Sequence, residues 1–306
     1  MLARVANNLF WMGRYIERTE HLARFLSVNY FTSLDAPDEL SRSRQFVLRS
    51  TMYMSANEII DSDKVLDEED VLFNVGLNTD KPYSILNAFT NAHENARSSR
   101  DLISTELFEC INRINHTIKG YPANKFVKSG LHDFTSLVIQ SASEIRSKIK
   151  STLLHDEVYA IIMLGIYIER ALQVSRIINS KLSDAAAAKA IHGDSTDGSY
   201  QWATLLKCVS SYDMMRRFYK KTPVRTSTLE FLILNSKCPR SIKNCLSQIK
   251  ADFDYKLMED IDDNLEVFTG ELIDKLILIA EKLENNYFNI SDVAVIKKQT
   301  QKQLQK

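Results

Sequence analysis

Two Glu-Arg pairs, Glu17-Arg18 and Glu169-Arg170, carry the types and spacing best suited to chemistry in this chain. A carboxyl group in an apolar setting holds its proton toward neutral pH and can then act as general acid or base. A guanidinium offers a planar fork of donors that grips a carboxylate or phosphate at two points. Six residues beyond the Arg of each pair stands another, Arg24 and Arg176. A second charged group runs through His93, Glu94, Asn95, Arg97 and Arg100. The candidate ligand-binding set is therefore Glu17, Arg18, Arg24, Glu94, Asn95, Arg97, Arg100, Glu169 and Arg170.

These side chains must be positioned by helices. Around Glu17, the apolar positions Leu2, Val5, Leu9, Met12, Ile16 and Ala23 form a stripe, and Phe10, Trp11, Tyr15, Leu22 and Phe25 fill the other faces. A helix apolar all round is central and packed on several sides. The run Val158 to Leu172, around the second pair, is more apolar still. Neighbours on a helix point about 100° apart, so Glu17 cannot pair with Arg18. Each charge needs a partner from elsewhere, because an unpaired buried charge costs several kcal/mol. The expected pairs are Glu17 with Arg170 and Arg18 with Glu169, or else groups from Glu94, Arg97 and Arg100. Gly13 and Gly165, one turn before each Glu, leave room for a facing side chain.

Three matches in register predict a duplication. Residues 9–24 against 161–176 share six of sixteen positions, and 77–89 against 234–246 share six of thirteen. Gln45-Phe46 and Gln201-Trp202 fall between them at an intermediate offset. The predicted fold is all-α, a helical bundle built from two tandem repeats of about five helices each, related by a pseudo-twofold axis. Helices are expected near 1–32, 37–60, 67–76, 82–118 and 131–150, then 155–182, 199–220, 225–235, 239–260 and 263–286. Residues 1–125 form the first repeat, 126–290 the second, packed with it as one domain, and 291–306 a polar tail. Pro82 and Pro239 suit helix starts, with caps at Thr79 or Asp80 and at Asn235 or Ser236. The helix from Pro82 would run roughly 50 Å. "KGYPANKFVKSG" (119–130) joins the halves, and "AKAIHGDSTDGSY" (188–200) is a loop of the second half.

Composition agrees with a helical chain. Eight Gly and five Pro in 306 residues leave few turn-makers. Lys plus Arg and Asp plus Glu both number 39. Zero formal charge argues against a broad grip on nucleic acid or an acidic membrane surface. The longest apolar run, Val158 to Ile168, is shorter than the roughly 20 residues a membrane span needs. Cys110, Cys208, Cys238 and Cys245 form no CxxC and complete no zinc spacing, so they read as small apolar residues in a reducing compartment. A cytoplasmic protein without metal or cofactor is expected. Glu-x-x-His, the signature of di-iron bundles, is missing from the sequence. "DEED" (67–70) and "DDNLE" (262–266) read as acids at helix N-termini rather than magnesium ligands.

The recurring residues also resemble a known family. "MLARVANNLFWMGRYIERTEHLARFL", "NAHENARSSRDLISTELFECIN" (91–112) and "FLILNSKCPRSIKNCL" (231–246) are similar, in order, to motifs of the bacterial alpha-E family, helical proteins named for an ER motif. His93 stands where that family has Arg, and the second half carries "IKADFDYKL" in place of an ENAR segment. The resemblance implies a chain encoded beside, or fused to, an ATP-grasp-type ligase, often with a transglutaminase-like protein, in peptide or amide-bond chemistry.

Two functions compete. One is a helical accessory or scaffold protein of such a system, whose buried Glu/Arg cluster holds a small anionic or peptide ligand. No phosphate loop, GxSxG or HExxH argues otherwise. The alternative is an enzyme of the same pathway using Glu17, Glu94 or Glu169 as acid/base, with the arginines as an anion clamp. An architectural role, fixing which helices sit together, is open to the ER pairs in either case.

Overall fold

The computed structural model describes residues 3–36, 39, 43–61, 63–192 and 199–256. Every regular element among them is helical: α1 Ala3–Thr32, α2 Arg44–Ala56, α3 Glu68–Gly76, α4 Ile85–Ser98, α5 Thr105–Lys119, α6 Ala123–Lys128, α7 Leu131–Thr152, α8 Glu157–His192, α9 Ser199–Cys208, α10 Tyr212–Tyr219, α11 Arg225–Leu234 and α12 Ile242–Lys256. By its contacts the chain divides into Met1–Ile249 and Lys250–Lys306. The second unit is described only where α12 enters it. The expected helix at 263–286, the "DDNLE" segment and the polar tail lie outside the described residues.

Helix α1 is the hub of the first unit. It packs against α8, α4, α7, α9 and α2, while α5 lies on α7 and α4. Leu9, Met12, Ile16 and Ala23 have no exposed surface, as the all-round apolar pattern of this segment requires. The stretch Glu157–Ala187 of α8 is long and apolar enough, by length and composition, to cross a membrane. Its most apolar window is 61% buried inside the bundle, as in a central helix.

Several boundaries differ from the sequence reading, each for a local reason. The predicted single helix over 82–118 is two. After Ser98 the chain makes a 3-10 turn at Arg100–Leu102, Ile103 is extended (φ −109°, ψ 158°), and Ser104 Oγ accepts the Leu107 amide at 3.1 Å to start α5. A serine offered to the first free amides of a helix competes with continuing the previous one. The apolar stripe runs through both pieces, which is why the break does not show in the pattern. Pro82 and Pro239 sit in turns before the helices, and the caps are Ser84 and Ser241, accepting the Asn87 and Asn244 amides at 3.0 Å each. The segment 119–130 contains the short helix α6, and α8 runs on through His192 into the stretch 188–200 expected as a loop, of which 193–198 lie outside the described residues. The segment 199–220 is two helices, α9 and α10, separated at Ser210, whose φ of 52° is left-handed. "DEED" does open a helix: Asp67 Oδ1 accepts the Asp70 amide at 2.8 Å, and the other acids lie in the first turn.

Two turns far apart in sequence have the same hydrogen bonds. In the first, Asn78 Oδ1 accepts the Asp80 amide at 2.9 Å and Asn87 Nδ2 donates to Thr79 O at 2.6 Å. In the second, Asn235 Oδ1 accepts the Lys237 amide at 2.8 Å and Asn244 Nδ2 donates to Ser236 O at 2.6 Å. The first turn precedes α4 and the second precedes α12.

Candidate functional site: an ionic layer between α1 and α8

Contacts between α1 and α8 rise together in number, from Gly13 beside Ile162 to Asn29 beside Lys181, so the two helices run in the same direction. Their approach at the two glycines is reciprocal. A Cβ on Gly13 would lie 2.3 Å from the Ile162 carbonyl oxygen, and one on Gly165 only 2.1 Å from that of Phe10. Glycine is needed here because backbone meets backbone. One turn later the helices present their glutamates.

Glu17 and Glu169 are each gripped by the arginine of the other pair. Arg170 donates to Glu17 from Nε at 2.6 Å and from Nη2 at 3.2 Å. Arg18 donates to Glu169 from Nε at 2.6 Å and from Nη2 at 3.1 Å. Each carboxylate also has a partner one turn on: His21 Nε2 lies 3.3 Å from Glu17 Oε1, and Gln173 Nε2 donates to Glu169 Oε1 at 2.7 Å.

Beyond this shared core the two sides differ. Arg14 Nε adds a bond to Glu169 at 2.7 Å. On the other side Arg146 of α7 reaches Glu17 Oε2 at 3.2 Å and also meets Glu20. Glu20 further accepts from Arg24 at 2.7 Å and from Arg240, just before α12, at 2.8 Å. The three carboxylates are almost wholly buried, while their six arginine partners keep between 12% and 21% of their side chains exposed. Carboxylates thus form the floor and guanidiniums the rim. Trp11 and Tyr15 lie beneath Arg14 and Arg18, at 4.5 Å and 5.4 Å from the ring centres.

Electrostatics keep the glutamates ionised. Burial works to raise Glu17, but Arg170, His21 and Arg146 overcome it and hold the carboxyl well below its ordinary value. Burial likewise opposes, and Arg18, Arg14 and Gln173 outweigh, in lowering Glu169. Glu20 is lowered to about 2: Arg240 and Arg146 overcome both burial and the neighbouring charge of Glu17. His21 is lowered, because loss of water outweighs the attraction of Glu17. The three glutamates are ion-pair partners rather than proton carriers near pH 7.

The structure brings Glu17, Arg18, Arg24, Glu169 and Arg170 together and leaves Glu94, Asn95, Arg97 and Arg100 out. Glu94 and Arg97 pair with each other at 2.7 Å on the exposed face of α4, and Arg100 stacks over Phe108. The break before α5 and the burial of Ala92 and Ala96 point the other face of α4 at the core. Sequence reasoning missed Arg14, Glu20, His21, Gln173, Arg146 and Arg240 as site residues. Helical spacing from Glu17 and Glu169 was a signal for the first four. Arg146 borders the stripe Val138, Ala142, Ile145 and Ile149, and carried none.

This parallel helix pair with ER residues at its centre is an all-α domain built on crossed Glu-Arg contacts. The chain belongs to the Alpha-E family, described as a predicted alpha-helical domain with a conserved ER motif, which it matches over residues 1–266. It is similar to an uncharacterised protein of Mycobacterium bovis and to one of Mycobacterium tuberculosis strain CDC 1551 / Oshkosh, each 23% identical over 265 residues. A further uncharacterised protein, from M. tuberculosis strain H37Rv, is 22% identical over 265 residues. In each case 81% of this chain is covered and 29% of the relative, so the chain spans about three tenths of their length. No solved structure matches.

Proposed function

We propose that this chain is a helical accessory domain that docks an ATP-grasp-type ligase, and with it a transglutaminase-like protein, in a peptide or amide-bond-forming system. The observation that carries the accessory role is the state of the carboxylates. Glu17 and Glu169 each accept from at least two guanidiniums and are held ionised, so neither is free to take a substrate proton. Glu94 is exposed and held low by Arg97. That argues against the reading as an acid/base enzyme. The excess of rim arginines over floor carboxylates, six against three, supports a holder of a small anionic or peptide ligand. The choice of partner rests on the family resemblance, and the much longer chains of the mycobacterial relatives support a module that works joined to others. Four buried free cysteines favour a reducing, cytoplasmic setting.

Two tandem repeats related by a pseudo-twofold axis along α1 and α8 are part of this proposal. The reciprocal glycine contacts, the crossed Glu-Arg pairs and the matched turns before α4 and α12 support it. The docking role is tested by co-purifying the full chain with an ATP-grasp-type ligase from the same genome. A complex with micromolar or tighter affinity is expected, and no complex at that concentration overturns it.

A further inference from the structure

Within the matched segments, Arg24 and Arg176 occupy equivalent positions, as do Glu20 and Leu172. The two arginines meet different fates. Arg24 donates to Glu20, whose carboxylate also accepts from Arg240 and pairs with Arg146. Arg176 has no such carboxylate, because the position one turn before it is Leu172. It is exposed and makes no ion pair among the described residues.

The surroundings of Arg176 sharpen the contrast. It lies two helical turns beyond Glu169, on the same face of α8. There Arg14 and Arg18 already share the single charge of Glu169. Arg176 stands on that same face of α8 without an ion pair to Glu169. Loss of water lowers the pKa of Arg176 from the ordinary arginine value, the charges of Arg18 and Arg14 add to this, and Glu169 opposes it only in part. Beside Arg14 and Arg18 stand the half-buried rings of Trp11 and Tyr15, which pack 5.4 Å apart.

The geometry points to a carboxylate-binding site at Arg176, Arg14 and Arg18, where an external carboxylate takes the place that Glu20 fills on the other side. The protein supplies its own template for the ligand: a carboxylate seated among three guanidiniums. Trp11 and Tyr15 favour an organic carboxylate over a bare inorganic anion, since an aromatic platform gives apolar contact to a carbon skeleton. The acid can reach the site as a free small molecule or as the terminal carboxylate of a peptide. This deepens the proposed anion-holding role and rests on it, without depending on the docking partner.

The test is isothermal titration of the full chain with three probes: glutarate, an N-acetylated dipeptide with a free terminal carboxylate, and the same dipeptide as its terminal amide. Binding of the free acid and at least tenfold weaker binding of the amide are expected. Tighter glutarate than dipeptide binding assigns the small-molecule source, and the reverse assigns the peptide. Arg176→Ala should weaken binding at least tenfold with an unchanged circular dichroism spectrum. Leu172→Glu supplies an internal carboxylate, and should abolish binding while raising Tm. No carboxylate binding by the unaltered chain, tighter binding of inorganic phosphate, or binding indifferent to both substitutions overturns the inference. A chain that docks the ligase yet fails these titrations removes this site and leaves the docking role standing.

Discussion

Glu17 and Arg170, 153 residues apart in sequence, are joined by two hydrogen bonds at 2.6 Å and 3.2 Å across the α1–α8 seam. The carboxylate is fully buried and the guanidinium nearly so. Removing one partner of a buried pair costs about 3–5 kcal/mol, mostly because the other charge is stranded. Glu17→Gln should therefore destabilise by that amount in urea unfolding. Glu17→Gln combined with Arg170→Met should cost less than the sum of the two single changes. Additive losses would mean that the pair does not hold the seam.

The glycines set the spacing that lets those pairs form. Alanine is worth about 1 kcal/mol more than glycine inside a helix by propensity alone. At Gly13 and Gly165 a methyl would meet a carbonyl oxygen of the facing backbone at 2.3 Å and 2.1 Å. Backbone cannot rotate aside as a side chain can, so the clash outweighs propensity. Gly165→Ala is expected to lower stability by at least 1–3 kcal/mol, the cost of overpacking. The double alanine variant should lose less than twice that, because helices once parted accommodate both methyls. A stabilised single variant in thermal unfolding would contradict this seam.

Acid should weaken the protein in two stages. His21 has its pKa lowered from 6.5, mainly by burial, while Glu17, Arg240 and Glu20 surround it. Below that value the unfolded chain binds a proton that the folded one refuses, so stability falls as pH drops through 6.5. Glu17, Glu20 and Glu169 have lowered values, Glu20 at about 2 against an ordinary 4.5. Their stabilisation is fully present above 4.5 and is lost as pH falls from there toward 2. His21→Gln copies the residue found at Gln173 and should remove the upper stage while leaving the lower one. Tm unchanged between pH 7 and pH 5 in the unaltered chain would refute the upper stage.

What could be read from the sequence was the part written in the matched ER segments and in periodicity. The all-α class, the central place of the helices holding Glu17 and Glu169, and the crossed pairing with Arg170 and Arg18 were all legible. Two buried charges of opposite sign on each helix leave few ways to satisfy both. The break between α4 and α5 was not legible, because Ile103 continues the apolar stripe through a turn made by Ser99 and Ser104. Nor was Arg146, which reaches Glu17 from 129 residues away. On α7 it differs in no sequence feature from a solvated arginine. Glu94 and Arg97 misled for a related reason: an i, i+3 pair on an exposed face closes on itself and needs no third partner.

The matched turns give the last test. Asn87 and Asn244 each donate to a backbone carbonyl eight residues earlier, at 2.6 Å in both cases. Each thereby pins a proline-containing turn to the first turn of its helix. A typical hydrogen bond contributes about 1 kcal/mol, and a carbonyl left without its donor can turn to water where the turn is exposed. Asn87→Ala and Asn244→Ala should therefore each lower stability by about 1 kcal/mol in urea unfolding. Because the two turns lie on different helices with no shared partner, the losses should add within about 0.5 kcal/mol in the double variant. A large loss at one asparagine and none at the other would show that the shared sequence pattern does not carry shared energetics, and would remove the turns as support for a repeated unit.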